Sequence, residues 1–165
     1  MFQVGLRTRV QPKVRAEDYS HSPSTVMNTP VADLDMLLST MEPVLKSGVY
    51  VFISTKNQEL LRDVEVFAMV REPEGMSAVL LESDAIALGL PIILRAAWII
   101  LTVQSDLQAV GLTAAFSKAL GTAGISCNVV AGAWHDHIFV PAKLGEEAVA
   151  VLRELQKKYL EHHGK

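Results

Sequence analysis

A chain of 165 residues, 50% hydrophobic and 20% charged, has the composition of a compact globular protein, with room for one domain or two small ones. A net charge of -3 gives no general attraction to nucleic acid, and the longest apolar run, 92–103, is broken by Arg95 and falls short of the roughly 18 residues of a membrane span. The single Cys127 excludes an internal disulfide framework and fits a reducing compartment.

Residues 1–30 stand apart. Arg7, Arg9, Lys13 and Arg15 precede the first acid, Glu17, and Ser20-His21-Ser22-Pro23-Ser24 is loop-like. The segment reads as a flexible N-terminal extension. Its Arg-rich, acid-poor make-up also allows a mitochondrial targeting role, although its apolar positions form only a weak amphipathic pattern. Beyond residue 30 the chain carries 16 acidic and 11 basic side chains, so the body is acidic.

The spacing of Leu34, Leu37, Leu38 and Met41 predicts a short helix over 33–41, ended with the help of Pro43. A strand is expected over 48–53. Two more, over 64–70 and 77–81, flank the turn signal Pro73-Glu74-Gly75. Residues 83–88 read as a short helix closed by Gly89 and Pro91. The β-branched run 97–103 then has the character of a strand buried on both faces.

Ser105-Asp106-Leu107-Gln108 carries the Ser-x-x-Gln pattern of a capping box and predicts a helix start there. Leu112, Phe116, Ala119, Leu120 and Ala123 continue at helical spacing, and Gly124 is a natural stop. In the next strand, 125–131, Ile125, Cys127, Val129 and Ala131 share one face. Gly132-Ala133-Trp134 turns the chain into an antiparallel partner strand, 135–140, closed by Pro141. A final helix is expected over 145–159, with Glu146 and Glu147 in its first turn and Lys157 and Lys158 in its last, as the helix dipole prefers. The order β-α-β-β-α is ferredoxin-like but lacks the last strand.

Three stretches carry a resemblance. They are Asp106-Leu107-Gln108-Ala109-Val110-Gly111-Leu112-Thr113-Ala114-Ala115-Phe116, Gly124-Ile125-Ser126-Cys127-Asn128-Val129-Val130-Ala131-Gly132 and His135-Asp136-His137-Ile138-Phe139-Val140. With Val70-Arg71-Glu72-Pro73-Glu74-Gly75 upstream, the chain resembles the small proteins built from two tandem ACT-like domains, over about 31–155. The implied fold is α+β: two tandem ACT-like ferredoxin-fold units of the βαββαβ type, with antiparallel sheets packed against helices. Residues 31–92 would form the first unit and 93–165 the second, after the 1–30 extension. Such units commonly pair edge to edge or exchange strands, which would supply the strand the second unit lacks.

Read by itself, the 105–113 junction offers unpaired helix-start N–H groups and a positive dipole end to a carboxylate. Gly111 leaves room for close approach, and Asn128 on the adjacent strand offers a donor and an acceptor. The plainer reading is that Ser105 caps, Gly111 packs and Asn128 bonds backbone. The resemblance favours a ligand site, because ACT-like domains typically bind amino acids at domain interfaces near this loop and the following strand. Carried over position by position, it points to Ser105, Asp106, Val110, Gly111, Leu112, Asn128 and Val129. Gln104 and Asp106 stand where His and Ser are usual in the family, and Ala133-Trp134 replaces a pair of tyrosines.

Other chemistry is weakly signalled. On a strand His135 and His137 would point to one side, a spacing able to chelate a metal, but no third ligand is signalled nearby. Hydrogen-bonded or partly buried strand histidines are the favoured reading. Cys127 lies on an apolar-alternating face and reads as a packed thiol rather than a nucleophile. Glu72 and Glu74 belong to a solvated hairpin tip. Gly111, Gly121 and Gly124 do not form a phosphate-binding motif.

The expectation is therefore a non-catalytic regulatory protein that binds an amino acid or similar small ligand, without cofactor or metal, in the cytoplasm. It would form a homodimer or higher oligomer and pass its output to a separate regulated protein, with no nucleic-acid or membrane partner. The alternatives are an interaction module without ligand, or a small metal-dependent enzyme using His135 and His137.

Overall fold

The computed structural model describes residues 33–103 and 105–163. The N-terminal extension with its targeting reading, and Gln104, lie outside the described residues. In chain order the elements are α1 (Leu34–Thr40), β1 (Pro43–Leu45), β2 (Tyr50–Thr55), β3 (Val66–Glu72), β4 (Gly75–Leu81), α2 (Glu82–Ala87), β5 (Ile92–Leu101), α3 (Leu112–Thr122), β6 (Asn128–Ala131), β7 (Asp136–Pro141) and α4 (Gly145–His163). Short 3-10 turns occupy Gln58–Leu61 and Ala142–Leu144.

The seven strands form one sheet of order β3-β4-β2-β5-β7-β6, and β1 pairs with β5. Every pairing is antiparallel. Traced through β2, β3, β4 and β5, the order β3-β4-β2-β5 is the ferredoxin arrangement, with a 3-10 turn in place of its first helix. Traced through β5, β6, β7 and β1, the order β6-β7-β5-β1 is the same arrangement again. Strand β5 thus closes the first unit and opens the second.

The strand expected to be missing from the second unit is supplied by the chain's own β1. Pro43, Val44 and Leu45 stand opposite Leu101, Ile100 and Ile99. Pro43 escapes a strand reading from sequence because proline donates nothing to a ladder; as the first residue of its strand it loses little. Helix α1 matches expectation, with Asp33 Oδ1 accepting the Met36 N–H at 2.8 Å as its cap. Its buried Leu37 and Leu38, and Met41 just after it, pack with Ile99, Phe116, Leu120 and Leu152, so α1 serves the core beneath α3 and α4.

Alternation along β5 explains its apolar run. Ala97, Ile99 and Leu101 face the helices, while Ala96 and Trp98 enter a second cluster on the other side. That opposite face is aromatic. Tyr50 meets Phe67 and Trp98 edge-on at 5.1 and 5.0 Å, and Phe52 meets Phe139 at 5.4 Å. Phe67 and Ala68 of β3 and Val130 of β6 all pack against this cluster, although β3 and β6 are the two outermost strands. The sheet therefore curls towards the aromatic face, helped by irregular register in β2 and β3.

Two elements depart from the sequence expectation in extent. Strand β6 is only four residues long, because Ile125 is used to finish α3. Its N–H reaches the Leu120 carbonyl at 2.9 Å, and that of Gly124 reaches Gly121 at 3.0 Å. This is a Schellman closure with Leu120 and Ile125 as its apolar pair. Helix α4 continues past Tyr159 to His163.

Candidate functional site

Residues 105–111 do not begin a helix as the capping-box pattern predicts; α3 starts at Leu112 with Gly111 as its N-cap. Two local interactions decide this. Asp106 uses its side chain on the Gln108 N–H at 2.8 Å and its carbonyl on the Ala109 N–H at 2.8 Å, which closes a turn. Gly111 then sits at φ 106°, which a helix cannot continue through. A Cβ there would lie 2.8 Å from Leu34 Cδ2, so Gly111 also lets α1 approach the loop.

The loop leans on the ends of β6 and β7 and encloses a cavity of about 70 Å³. Ser105, Asp106 and Leu112 line it, together with Thr113, Ala131 and Asp136. Three of the seven sequence-derived positions therefore meet here. Val110 is 82% exposed, and Gly111 is the N-cap that precedes Leu112. Asn128 and Val129 do not join them. They pair with Phe139 and Ile138, two to three residues down β6 from Ala131, or about 7–10 Å along the strand. Asn128 is exposed there, and Val129 packs against the helix-side core.

Asp136 is the residue that sequence reasoning missed. It is only 7% exposed. Burial pushes its carboxyl above the ordinary carboxylate range, against the opposing pull of His137, His135 and a hydrogen bond from Ser105. The signal was present in the strand period: Asp136, Ile138 and Val140 fall on one face, and a carboxylate on the core face is a buried charge. The same period sends His135 and His137 to the other face. His137 Nδ1 accepts the Trp98 indole N–H at 3.2 Å, and His135 Nδ1 lies 3.5 Å from the Val103 carbonyl.

That bond fixes the His137 tautomer. An imidazole accepting at Nδ1 is neutral, with its proton on Nε2. Burial and the neighbouring His135 lower its pKa, Asp136 acting weakly the other way. Among the described residues no group of three His, Cys, Asp or Glu side chains is placed to hold a metal. Cys127 is half-buried, its sulfur 3.7 Å from Ser117 Oγ. Among the described residues no helix is long and apolar enough to cross a membrane.

The arrangement sets backbone donors and a buried carboxylate on one cavity. The first-turn N–H groups of α3 have no side-chain cap, because Gly111 has no side chain. The Asp136 carboxylate and the Ser105 hydroxyl belong to residues that line the same cavity as Leu112 and Thr113 of that first turn.

Comparison with known proteins gives a family. Residues 29–96 match one model of the ACT domain and residues 93–154 match a second. A structure of a protein of unknown function from Vibrio cholerae, described as a possible transport protein, is 42% identical with a TM-score of 0.69; the match covers 74% of this chain and 95% of that one. A protein from Agrobacterium tumefaciens shares the fold at 18% identity and a TM-score of 0.56, over 70% and 89% of the two chains. The ligand-free regulatory subunit of aspartate kinase from Thermus thermophilus does so at 13% identity and a TM-score of 0.55, over 71% and 98%. No curated protein matches the sequence.

Proposed function

The chain belongs to the ACT-domain family, and on that premise we propose that it is a non-catalytic regulatory protein that binds a free amino acid at the cavity between α3 and β7. The observation that carries the reading is Asp136, a buried carboxylate beside uncapped helix N–H groups. A ligand α-carboxylate is matched by the first turn of α3 and its dipole, and an α-ammonium by Asp136. Ser105 orients the Asp136 carboxylate through its hydroxyl.

A volume of about 70 Å³ holds the charged head of an amino acid but not a whole one, since complete ligand sites usually span about 300–1,000 Å³. The ligand side chain therefore lies outward, near Leu107 and Val110, which are 69% and 82% exposed. A second ACT surface laid over these two residues completes the site, consistent with binding at a domain interface. Among the described residues no group of three His, Cys, Asp or Glu is placed to hold a metal, and the fold relative from Thermus thermophilus is itself a regulatory subunit.

Thermal unfolding against each standard amino acid tests the reading. A ligand at 100 times its Kd stabilises a folded protein by about 2.7 kcal/mol, which moves the midpoint by several degrees. The expected result is a selective shift that Asp136→Asn abolishes. A flat panel, or a shift that survives this substitution, overturns the assignment.

A further inference from the structure

Among the described Phe, Tyr and Trp residues, Trp134 is the one most open to solvent, at 64% exposure. It sits at the tip of the β6–β7 hairpin. Ala131 and Asp136 are the last paired residues there, and the Gly132 N–H reaches the His135 carbonyl at 2.9 Å, which leaves Ala133 and Trp134 as a two-residue tip. His135 Nδ1, 3.5 Å from the Val103 carbonyl, sets this tip beside the chain that leads into the 105–111 loop. Ala131 and Asp136 both line the cavity of about 70 Å³. Two residues of extended chain span at most about 7 Å, so the Trp134 indole is within reach of the cavity mouth from the hairpin side. On the loop side stand Leu107, which lines the cavity, and Val110, both exposed. Among the described residues no Lys, Arg or His lines the cavity, and Asp106 holds the Gln108 N–H with its own carboxylate.

We propose, resting on the amino-acid reading above, that Trp134 determines the specificity of the site and that the ligand carries a large apolar side chain, aromatic or branched aliphatic. The cavity takes only the charged head, so the ligand side chain leaves it between the 105–111 loop and the hairpin tip. There it lies against the Trp134 indole, with Leu107 and Val110 beside it. An acidic side chain would find two carboxylates, Asp106 and Asp136, and no base. A hydroxyl or amide side chain would give up water against the indole without gaining a partner. An apolar one removes both its own surface and that of an exposed tryptophan from water, and an aromatic one adds ring stacking.

Isothermal titration calorimetry of the full chain with phenylalanine, leucine, alanine, glutamate and lysine tests this. The wild type is expected to prefer phenylalanine and leucine. Trp134→Ala should lower the affinity for both at least about tenfold, and that for alanine by less than about twofold. Trp134→Phe, which keeps an aromatic face, should retain most of what Trp134→Ala loses. Phenylalanine should also shift the tryptophan emission of the wild type to the blue as the indole leaves water, and Trp134→Phe should bind it without that shift. Because Trp134 is exposed, neither substitution should move the melting midpoint of the unliganded protein. A preference for alanine, glutamate or lysine overturns the inference, as does a Trp134→Ala variant that weakens every ligand alike. If Asp136→Asn still abolishes that binding, the amino-acid reading stands without it. A protein that binds none of these amino acids overturns both.

Discussion

Asp136 shows how a single buried side chain ties stability to pH. Its folded-state pKa is raised above the ordinary value of 3.8 by burial. The folded protein thus holds this proton more tightly than the unfolded chain does. That contribution to stability is complete below pH 3.8 and is lost as pH rises through the raised folded value. At neutral pH the ionised carboxylate is a cost. Asp136→Asn keeps an oxygen for the Ser105 hydroxyl and removes the charge, so the variant should melt above the wild type at pH 7, with the gap closing on acidification. A variant that is less stable at pH 7 would contradict this. His137 runs the other way. Its pKa is lowered from 6.5, so its contribution is present above that value and is lost as pH falls through the lower folded value. His137→Gln, which can still accept the Trp98 N–H, should flatten the decline in melting midpoint below pH 6.5.

At the scale of elements, the junction before α3 depends on one glycine. Gly111→Ala must adopt a left-handed backbone, costing about 1–2 kcal/mol, and must also displace Leu34. The loss of stability in denaturant titration should therefore exceed the backbone term alone. Leu34→Ala in the same chain should return part of it, as a coupling energy in a double-mutant cycle; strict additivity would show that α1 does not press on this loop. The same junction marks the limit of sequence reading. Helix spacing in 112–123, the hairpin around Pro73-Glu74-Gly75 and the apolar character of β5 were legible, because burial imposes a period on each. The start of α3 was not, because Asp106 satisfies its own backbone neighbours and defeats an otherwise sound capping pattern. Asn128 was placed in the site for its donor and acceptor and by likeness of motif, yet the register of β6 against β7 sets it three residues along the strand from Ala131 at the cavity. Asp136 shares its face of β7 with Ile138 and Val140, and only their packing against the helices marks that face as the core.

Across the whole molecule, two ACT units share one strand and cannot be parted at a linker. Residues 29–96 and 93–154 match separate domain models, but β5 spans Ile92–Leu101 and pairs with β2 at one end and with β7 and β1 at the other. Its side chains enter both the helix-side core and the aromatic cluster. Helix α1 and β1 lie within the stretch that the first domain model matches, yet the α1–β1 segment buries Leu37, Leu38 and Met41 in the core beneath α3 and α4. Unfolding either half strips β5 of a neighbour and opens a core that the other half needs. The chain should accordingly unfold in a single transition, with calorimetric and van't Hoff enthalpies equal at protein concentrations low enough to exclude association. Two resolved transitions would mean that each unit is stable on its own. Removing residues 1–46 sharpens the test, because β2, β3, β4 and β5 all remain and the first unit keeps every strand. If the units were independent, the truncated chain would retain the stability of its weaker half. With α1 and β1 serving the second unit, α4 loses a packing partner and the Ile99–Leu101 edge of β5 is left unpaired, so the truncation should destabilise the α3–α4 half first, read as faster amide exchange there than in β3 and β4.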